Sequence, residues 1–266
     1  MIKLSPENYH SAEARRQYMS ASRFKDYHGS LGLVGCEARA LAMDKGEWTE
    51  ESTEAMLVSS YVDSHFAGTL DVFKAQHPEI LKKDGSLMAK YEHMNTVIAR
   101  IERDEYMMKC LSGDKQVILT AKMFGCDWSC AIDSRIKSVA NVDLKVMANI
   151  NKAHYVKDYG QMSFIQYYGY IGQAAIYTAI DEKVTGKRVP FLFAVASKEE
   201  EPDIAVIGCT EQDINDELIA IERAMPRIIA IRAGNEKPDS CGKCAYCRHE
   251  KKLSGPVHFS ELVLSI

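Results

Sequence analysis

Cys130-Ala-Ile-Asp-Ser-Arg-Ile136, a break over residues 137–140, then Asn141-Val-Asp-Leu-Lys-Val146 is the stretch that decides how this chain folds. Both halves alternate apolar and polar residues with a period of two, the pattern of a half-buried strand. In a strand, residues i and i+2 share a face, so Asp143 and Lys145 project together. A hairpin return brings Asp133 beside them. Two neighbouring carboxylates repel unless a cation lies between them, and the hard cation that oxygen ligands select is Mg²⁺ or Mn²⁺. A lysine beside such an ion can orient water and offset charge on a phosphoryl group, which assembles the parts for phosphodiester hydrolysis. The same alternation also fits a strand that merely turns a charged face to solvent. Val142, Leu144 and Val146 make its other face apolar under either reading.

The surroundings supply the rest of an α/β domain. Residues 1–19 form a polar lead-in expected to be loosely attached. Helical patterns follow from Ser20 and from Cys36 to Met43, then over residues 53–73 and 86–109. The period changes to two from Gln116 to Ile136, with a turn at Gly125. After the Asp143 strand come a helix near residues 163–182 and two strands, 189–197 and 203–209, joined by an acidic turn. A further helix covers residues 211–233, where Pro226 predicts a kink or restart. Residues 257–266 are expected to pair or pack as a short strand. Helices first, a mixed sheet next and helices after it imply a sheet covered on both faces.

Composition narrows the function class without naming it. With 266 residues, 46% hydrophobic and 26% charged, the chain has the make-up of an ordinary globular domain. A net charge of −4 argues against a general polyanion binder, although a local basic groove is compatible with it. The start turns polar at once and no apolar run approaches a bilayer span, so the expected location is cytoplasmic, with no membrane partner. Eight cysteines in such a chain are not read as a disulfide framework. Cys241-Gly-Lys-Cys244-Ala-Tyr-Cys247 places three thiols at x2 spacing, a metal-binding signal that lacks a fourth ligand; His249 and His258 stand nearby.

Gln173 and Tyr177 lie one helical turn apart after the strands. In order, the chain therefore carries Asp133, Asp143-Leu-Lys145 and Gln173-Ala-Ala-Ile-Tyr177. This series resembles the PD-(D/E)XK nuclease superfamily, and within it the RecB/RecE (exonuclease VIII)-like branch of phage-type exonucleases. Ser20-Ala-Ser-Arg-Phe-Lys-Asp-Tyr27 with Cys36-Glu-Ala38 resembles the opening helix of that branch. The resemblance covers roughly residues 20–252. It implies a restriction-endonuclease-like core: a central mixed β-sheet flanked by helices, with a helical N-terminal part and a Cys-rich C-terminal tail. Residues 20–266 would form one nuclease domain, and residues 238–252 a metal staple.

The resemblance also implies roles. Asp133 and Asp143 would hold Mg²⁺ or Mn²⁺, with the Leu144 carbonyl as a further contact. Lys145 would position water, Gln173 would orient the site or hold a phosphate, and Tyr177 would support DNA contacts. Relatives place a histidine in the early helix as Gly-x3-His. Here Ser59 takes the glycine position and Asp63 the histidine position, so Asp63 is expected as the ligand in preference to His65. Some members close the domain with a [4Fe-4S] cluster on one early and three late cysteines, which would here be Cys36 with Cys241, Cys244 and Cys247. They space their last two cysteines more widely, and Zn²⁺ is the alternative. The implied activity is a metal-dependent exonuclease acting on double-stranded DNA ends in phage-type recombination or repair. Arg23, Lys25, Lys137 and Lys152 are candidate phosphate contacts; a single-strand annealing protein and further copies of the chain are candidate partners. The competing readings are an endonuclease, a CRISPR-adaptation-like single-strand nuclease, and a non-catalytic DNA-binding adaptor.

Overall fold

The computed structural model describes residues 2–253, 255, 256 and 258–261. Five strands form one mixed sheet in the order β1-β2-β3-β6-β7. They are β1 (Asp114–Met123), β2 (Cys126–Ile136), β3 (Ala140–Met147), β6 (Phe191–Ser197) and β7 (Ile204–Gly208). β3 and β6 run parallel; the other neighbours are antiparallel. A separate two-stranded hairpin, β4 (His154–Val156) with β5 (Gly160–Met162), follows β3. Its strands are three residues each, too short to show a period, and the sequence reading passed over them.

Alternation along β3 sorts its side chains between two helical layers. Ala140, Val142, Leu144 and Val146 pack with Ala194 and Ala196 of β6 against a layer that includes α4 (Glu54–Ala67), α6 (Ala89–Glu102) and α7 (Glu105–Cys110). Phe191, Phe193 and Val195 face the other way, toward α8 (Phe164–Tyr167) and α9 (Tyr170–Thr185). On that second side, Trp128, Cys130 and Ile132 of β2 join a core with α2 (Ala21–His28), α3 (Glu37–Lys45), α9 and α10 (Glu211–Arg232). Burial of about 25 cal/mol per Å² of apolar surface on both faces is what holds the sheet between its layers.

Several expected single helices are pairs. Gly68, left-handed at φ 75°, ends α4 before α5 (Leu70–Gln76) begins. Asp104 accepts the N–H groups of Tyr106 and Met107, so it caps α7 and separates it from α6. Gly169, at φ 65°, divides α8 from α9. Pro226 does not restart α10, which runs unbroken from Glu211 to Arg232. Pro226 is exposed, and Ile221, Met225 and Ile228 are buried beside it at helical spacing, so packing holds the turn that lacks one hydrogen bond.

The lead-in is not loose. Ser11 caps α1 (Ala12–Gln17), and Ala14, Tyr18 and Met19 are buried. Met19 bonds the edge of β2 by donating to the Asp127 carbonyl at 2.8 Å and accepting from Ser129 at 2.8 Å. Its polar composition concealed a few apolar anchors. At the other end, residues 259–261 form a turn of 3₁₀ helix, while residues 257 and 262–266 of the expected terminal strand lie outside the described residues. Among the described residues, no helix is long and apolar enough to cross a membrane.

Candidate active site and four-thiol centre

The candidate site forms where β2 leaves its regular pairing with β3. Listing the register from the hairpin end gives Ile136 opposite Ala140, Arg135 opposite Asn141 and Ser134 opposite Val142, and pairing stops there. Ile132 packs on the α9 side, yet Ser134 donates its hydroxyl to the Cys110 carbonyl on the α7 side, so β2 twists between them. The Asp133 carboxylate consequently reaches β3: its Oδ2 accepts the Leu144 N–H at 2.9 Å. Its Oδ1 accepts from Gln116 Nε2 at 3.0 Å, and Gln116 is itself left-handed at φ 49°. Gln116 was not expected; its neighbours in sequence carry no sign of that backbone state.

Asp143 and Lys145 share the β3 face turned toward α9. Lys145 Nζ lies 2.5 Å from Asp143 Oδ2, and Gln173 Nε2 donates to Asp143 Oδ1 at 2.6 Å. Asp143 and Gln173 are buried. Lys145 also stands 4.8 Å from the centroid of the Tyr170 ring. Tyr170, Gln173 and Tyr177 form an i, i+3, i+7 stripe on α9, a spacing through which Tyr170 could have been found. A cleft of about 280 Å³ is lined by Asp63, Asp133, Asp143, Leu144, Lys145, Gln173 and Tyr177. Asp63 thus joins the two strand aspartates, whereas His65 bonds Glu102 at 2.8 Å on the outer side of α4. Tyr9 and His10 of the lead-in complete one wall; nothing in their local sequence marks them for it.

Charge crowding defines the chemistry of this cleft. Burial, then the neighbouring charge of Asp133, pushes the Asp63 carboxyl well above its usual range. Burial and Asp143 raise Asp133 to about 6. For Lys145, burial works against the charge, but Asp143 overrides it and the ammonium is held more firmly than usual. Asp63 Oδ1 is shielded from solvent and makes no hydrogen bond, while Asp143 Oδ2 is held by the Lys145 ammonium. Three converging carboxylates, one with a buried oxygen left unpartnered, suit a hard divalent cation, so the donor set fits Mg²⁺ or Mn²⁺.

Of the four basic residues expected at phosphates, one reaches the cleft. Lys25 lines it, and burial followed by repulsion from Lys145 lowers its pKa to about 8. Arg23 is buried and donates to the carbonyls of Ala14 (2.9 Å) and Tyr18 (2.5 Å), tying α1 to α2; it is structural. Lys137 sits in the turn between β2 and β3, and Lys152 is exposed before β4; neither lines the cleft.

The cysteines converge as a second centre. The sulfurs of Cys36, Cys241, Cys244 and Cys247 all lie within 4.8 Å of one another. Cys36 Sγ is 3.5 Å from Cys247 Sγ, which is 3.9 Å from Cys241 Sγ. Cys36 caps α3, and Cys244 caps α11 (Ala245–His249). Backbone N–H groups of Lys243 and Cys244 point at Cys241 Sγ; burial raises that thiol, but these donors win and bring it down to about 6. Arg227 fixes the tail by bonding both Glu37 and Asp239. His249 packs on Trp48 and belongs to no such thiol cluster.

The family model described as "PDDEXK-like domain of unknown function (DUF3799)" matches residues 20–250. The chain belongs to this family. A solved structure described as a "Putative exonuclease" from Eubacterium rectale is 44% identical over 100% of both chains, with a TM-score of 0.96. No curated protein matches the chain. The chain has the mixed sheet and flanking helices expected from the sequence, with a four-thiol cluster joining Cys36 to the three C-terminal cysteines.

Proposed function

We propose that this PDDEXK-like protein is a metal-dependent deoxyribonuclease that degrades DNA from double-stranded ends. The observation that carries this reading is the convergence of Asp63, Asp133, Asp143, Lys145 and Gln173 on one cleft, with the buried Asp63 Oδ1 left without a hydrogen-bond partner. Asp63, Asp133, Asp143 and the Leu144 carbonyl would hold Mg²⁺ or Mn²⁺. When bound, the cation would acidify water and neutralise charge on the phosphoryl oxygens. Lys145 orients the attacking water and stabilises the charge that develops at phosphorus. Gln173 fixes the Asp143 carboxylate through Oδ1, and Lys145 holds Oδ2 beside the cleft. Tyr177 shapes the cleft floor, and Lys25 offers its ammonium to an incoming phosphate.

Action at ends is supported by the description of the full-length relative as an exonuclease and by the RecB/RecE-like motif order. The same motif order supports a role in phage-type recombination or repair, with a single-strand annealing protein taking up the product. For the thiol centre the spacing favours one ion. A tetrahedral ion with ~2.3 Å bonds to sulfur has sulfur–sulfur edges of about 3.8 Å. Two of the sulfur pairs, at 3.5 and 3.9 Å, lie near that edge, and all four sulfurs are within 4.8 Å of one another. A [4Fe-4S] cluster binds each thiolate to a separate iron and holds the four further apart, so we read the staple as Zn²⁺, not the iron–sulfur cluster that the resemblance favours.

The test compares linear duplex with covalently closed circular DNA in Mg²⁺ or Mn²⁺. Release of nucleotides from the linear form alone, stopped by EDTA and by Asp143→Asn, is expected. Digestion of closed circles would replace the exonuclease reading with an endonuclease. No release from any DNA would leave a non-catalytic DNA-binding protein.

A further inference from the structure

The metal cleft does not end at Lys25. It continues into a second cavity of about 390 Å³ between α2, α9 and α10, which shares Ala21, Lys25 and Gln173 with the first. Phe24, Ile171 and Ile176 give it apolar walls, while Gln166 and Glu217 stand at its edge. Two glycines keep it open. A Cβ at Gly172 would come within 3.3 Å of Glu217 Oε2, and one at Gly169 within 2.9 Å of Ser30 Cβ. Burial alone raises the Glu217 carboxyl above its usual range.

We propose that this cavity is a nucleobase pocket, holding the base of a nucleotide whose phosphate lies at the carboxylate cleft. The inference rests on the nuclease reading for its placement, but the pocket's own chemistry selects the occupant. Flat apolar walls suit the faces of a heterocycle, and Phe24 offers a surface for one to pack on. Its volume falls within the range of small-molecule sites, roughly 300–1,000 Å³. The apolar share of its lining, from Phe24, Ile171 and Ile176, suits a base better than a phosphate. Glu217 can instead accept from an exocyclic amine, as carboxylates do with cytosine N4. Lys25 stands at the neck between the two cavities, where the sugar–phosphate must pass.

Calorimetric titration of the full chain with 2′-deoxycytidine 5′-monophosphate and with 2-deoxyribose 5-phosphate tests the assignment. The nucleotide is expected to bind at least tenfold tighter than the baseless sugar phosphate. Ala220, exposed on α10 at the rim, lines the cavity; Ala220→Phe fills it and should erase most of that advantage. Should this variant fail to fold, Glu217→Ala, which removes the polar partner without adding bulk, should reduce the same ratio at least threefold. Equal affinities in the wild type, binding of neither probe, or an advantage that survives both substitutions would overturn the pocket. Base-dependent binding by a protein that cuts no DNA would support the pocket and sink the catalytic reading, so the two failures are distinguishable.

Discussion

Replacing Lys145 with methionine keeps the length of the side chain and removes its charge. Lys145 Nζ is 2.5 Å from Asp143 Oδ2, with side-chain exposures of 18% and 5%, so the pair is largely desolvated. Removing one partner from such a pair costs roughly 3–5 kcal/mol, because the remaining charge stays buried. Asp143 keeps its bond from Gln173, which places the expected loss near the lower end, about 3 kcal/mol. For a chain of this size that corresponds to a drop in Tm of about 6–9 °C. The same change removes a competing cation from the carboxylates, so Mn²⁺ should bind about tenfold tighter, equivalent to ~1.4 kcal/mol. Saturating Mn²⁺ should therefore raise the Tm of the variant by more than it raises that of the wild type. Turnover should nevertheless fall by roughly 10²–10³, the loss typical of one electrostatic stabiliser. Thermal melts with and without Mn²⁺, calorimetric Mn²⁺ titration and nucleotide release from linear duplex measure the three quantities. Weaker Mn²⁺ binding together with turnover within threefold of wild type would refute the reasoning.

Asp63→Ala should abolish metal-dependent turnover, whereas His65→Ala should alter both stability and activity little, since its exposed pair with Glu102 is worth ~0–1 kcal/mol; equal losses in the two variants would reverse the assignment. Purified protein should be colourless and carry about one zinc per chain, and Cys36→Ser should lower both zinc content and Tm. A brown preparation with iron in fourfold excess over chain would restore the cluster. With its pKa at about 8, Lys25 is charged below that pH and neutral above it. The kcat/KM of the free enzyme on DNA should accordingly decline as pH rises through about 8, and Lys25→Arg should flatten that limb.

Period-two alternation around Asp133, Asp143 and Lys145 was enough to read the sheet, because strand faces are local properties. Gln173 and Tyr177 were legible through helical spacing, and Cys36 and Asp63 through resemblance to relatives. Tyr9, His10 and Gln116 were not. They reach the cleft through the anchoring of the lead-in, whose Met19 bonds β2, and through a left-handed residue inside β1, neither of which leaves a periodic trace. Arg23 misled for the converse reason: an arginine on a helix looks solvated until the carbonyls of residues 14 and 18 are folded against it. The four-thiol cluster was legible through ligand order, which says nothing of the metal it holds.

The thiol centre also bears on how the protein is made. Cys36 follows the loop after α2, the helix that carries Lys25 into the cleft, and the Cys36 N–H bonds the Asp26 carbonyl at 2.8 Å. Its three partners are translated only after every strand of the sheet has been synthesised. On the zinc reading proposed above, a nascent chain would carry its carboxylates before the segment bearing Lys25 is locked, and ion capture would be the closing event of maturation. Chelator present during synthesis should then yield a population that differs from protein stripped after folding.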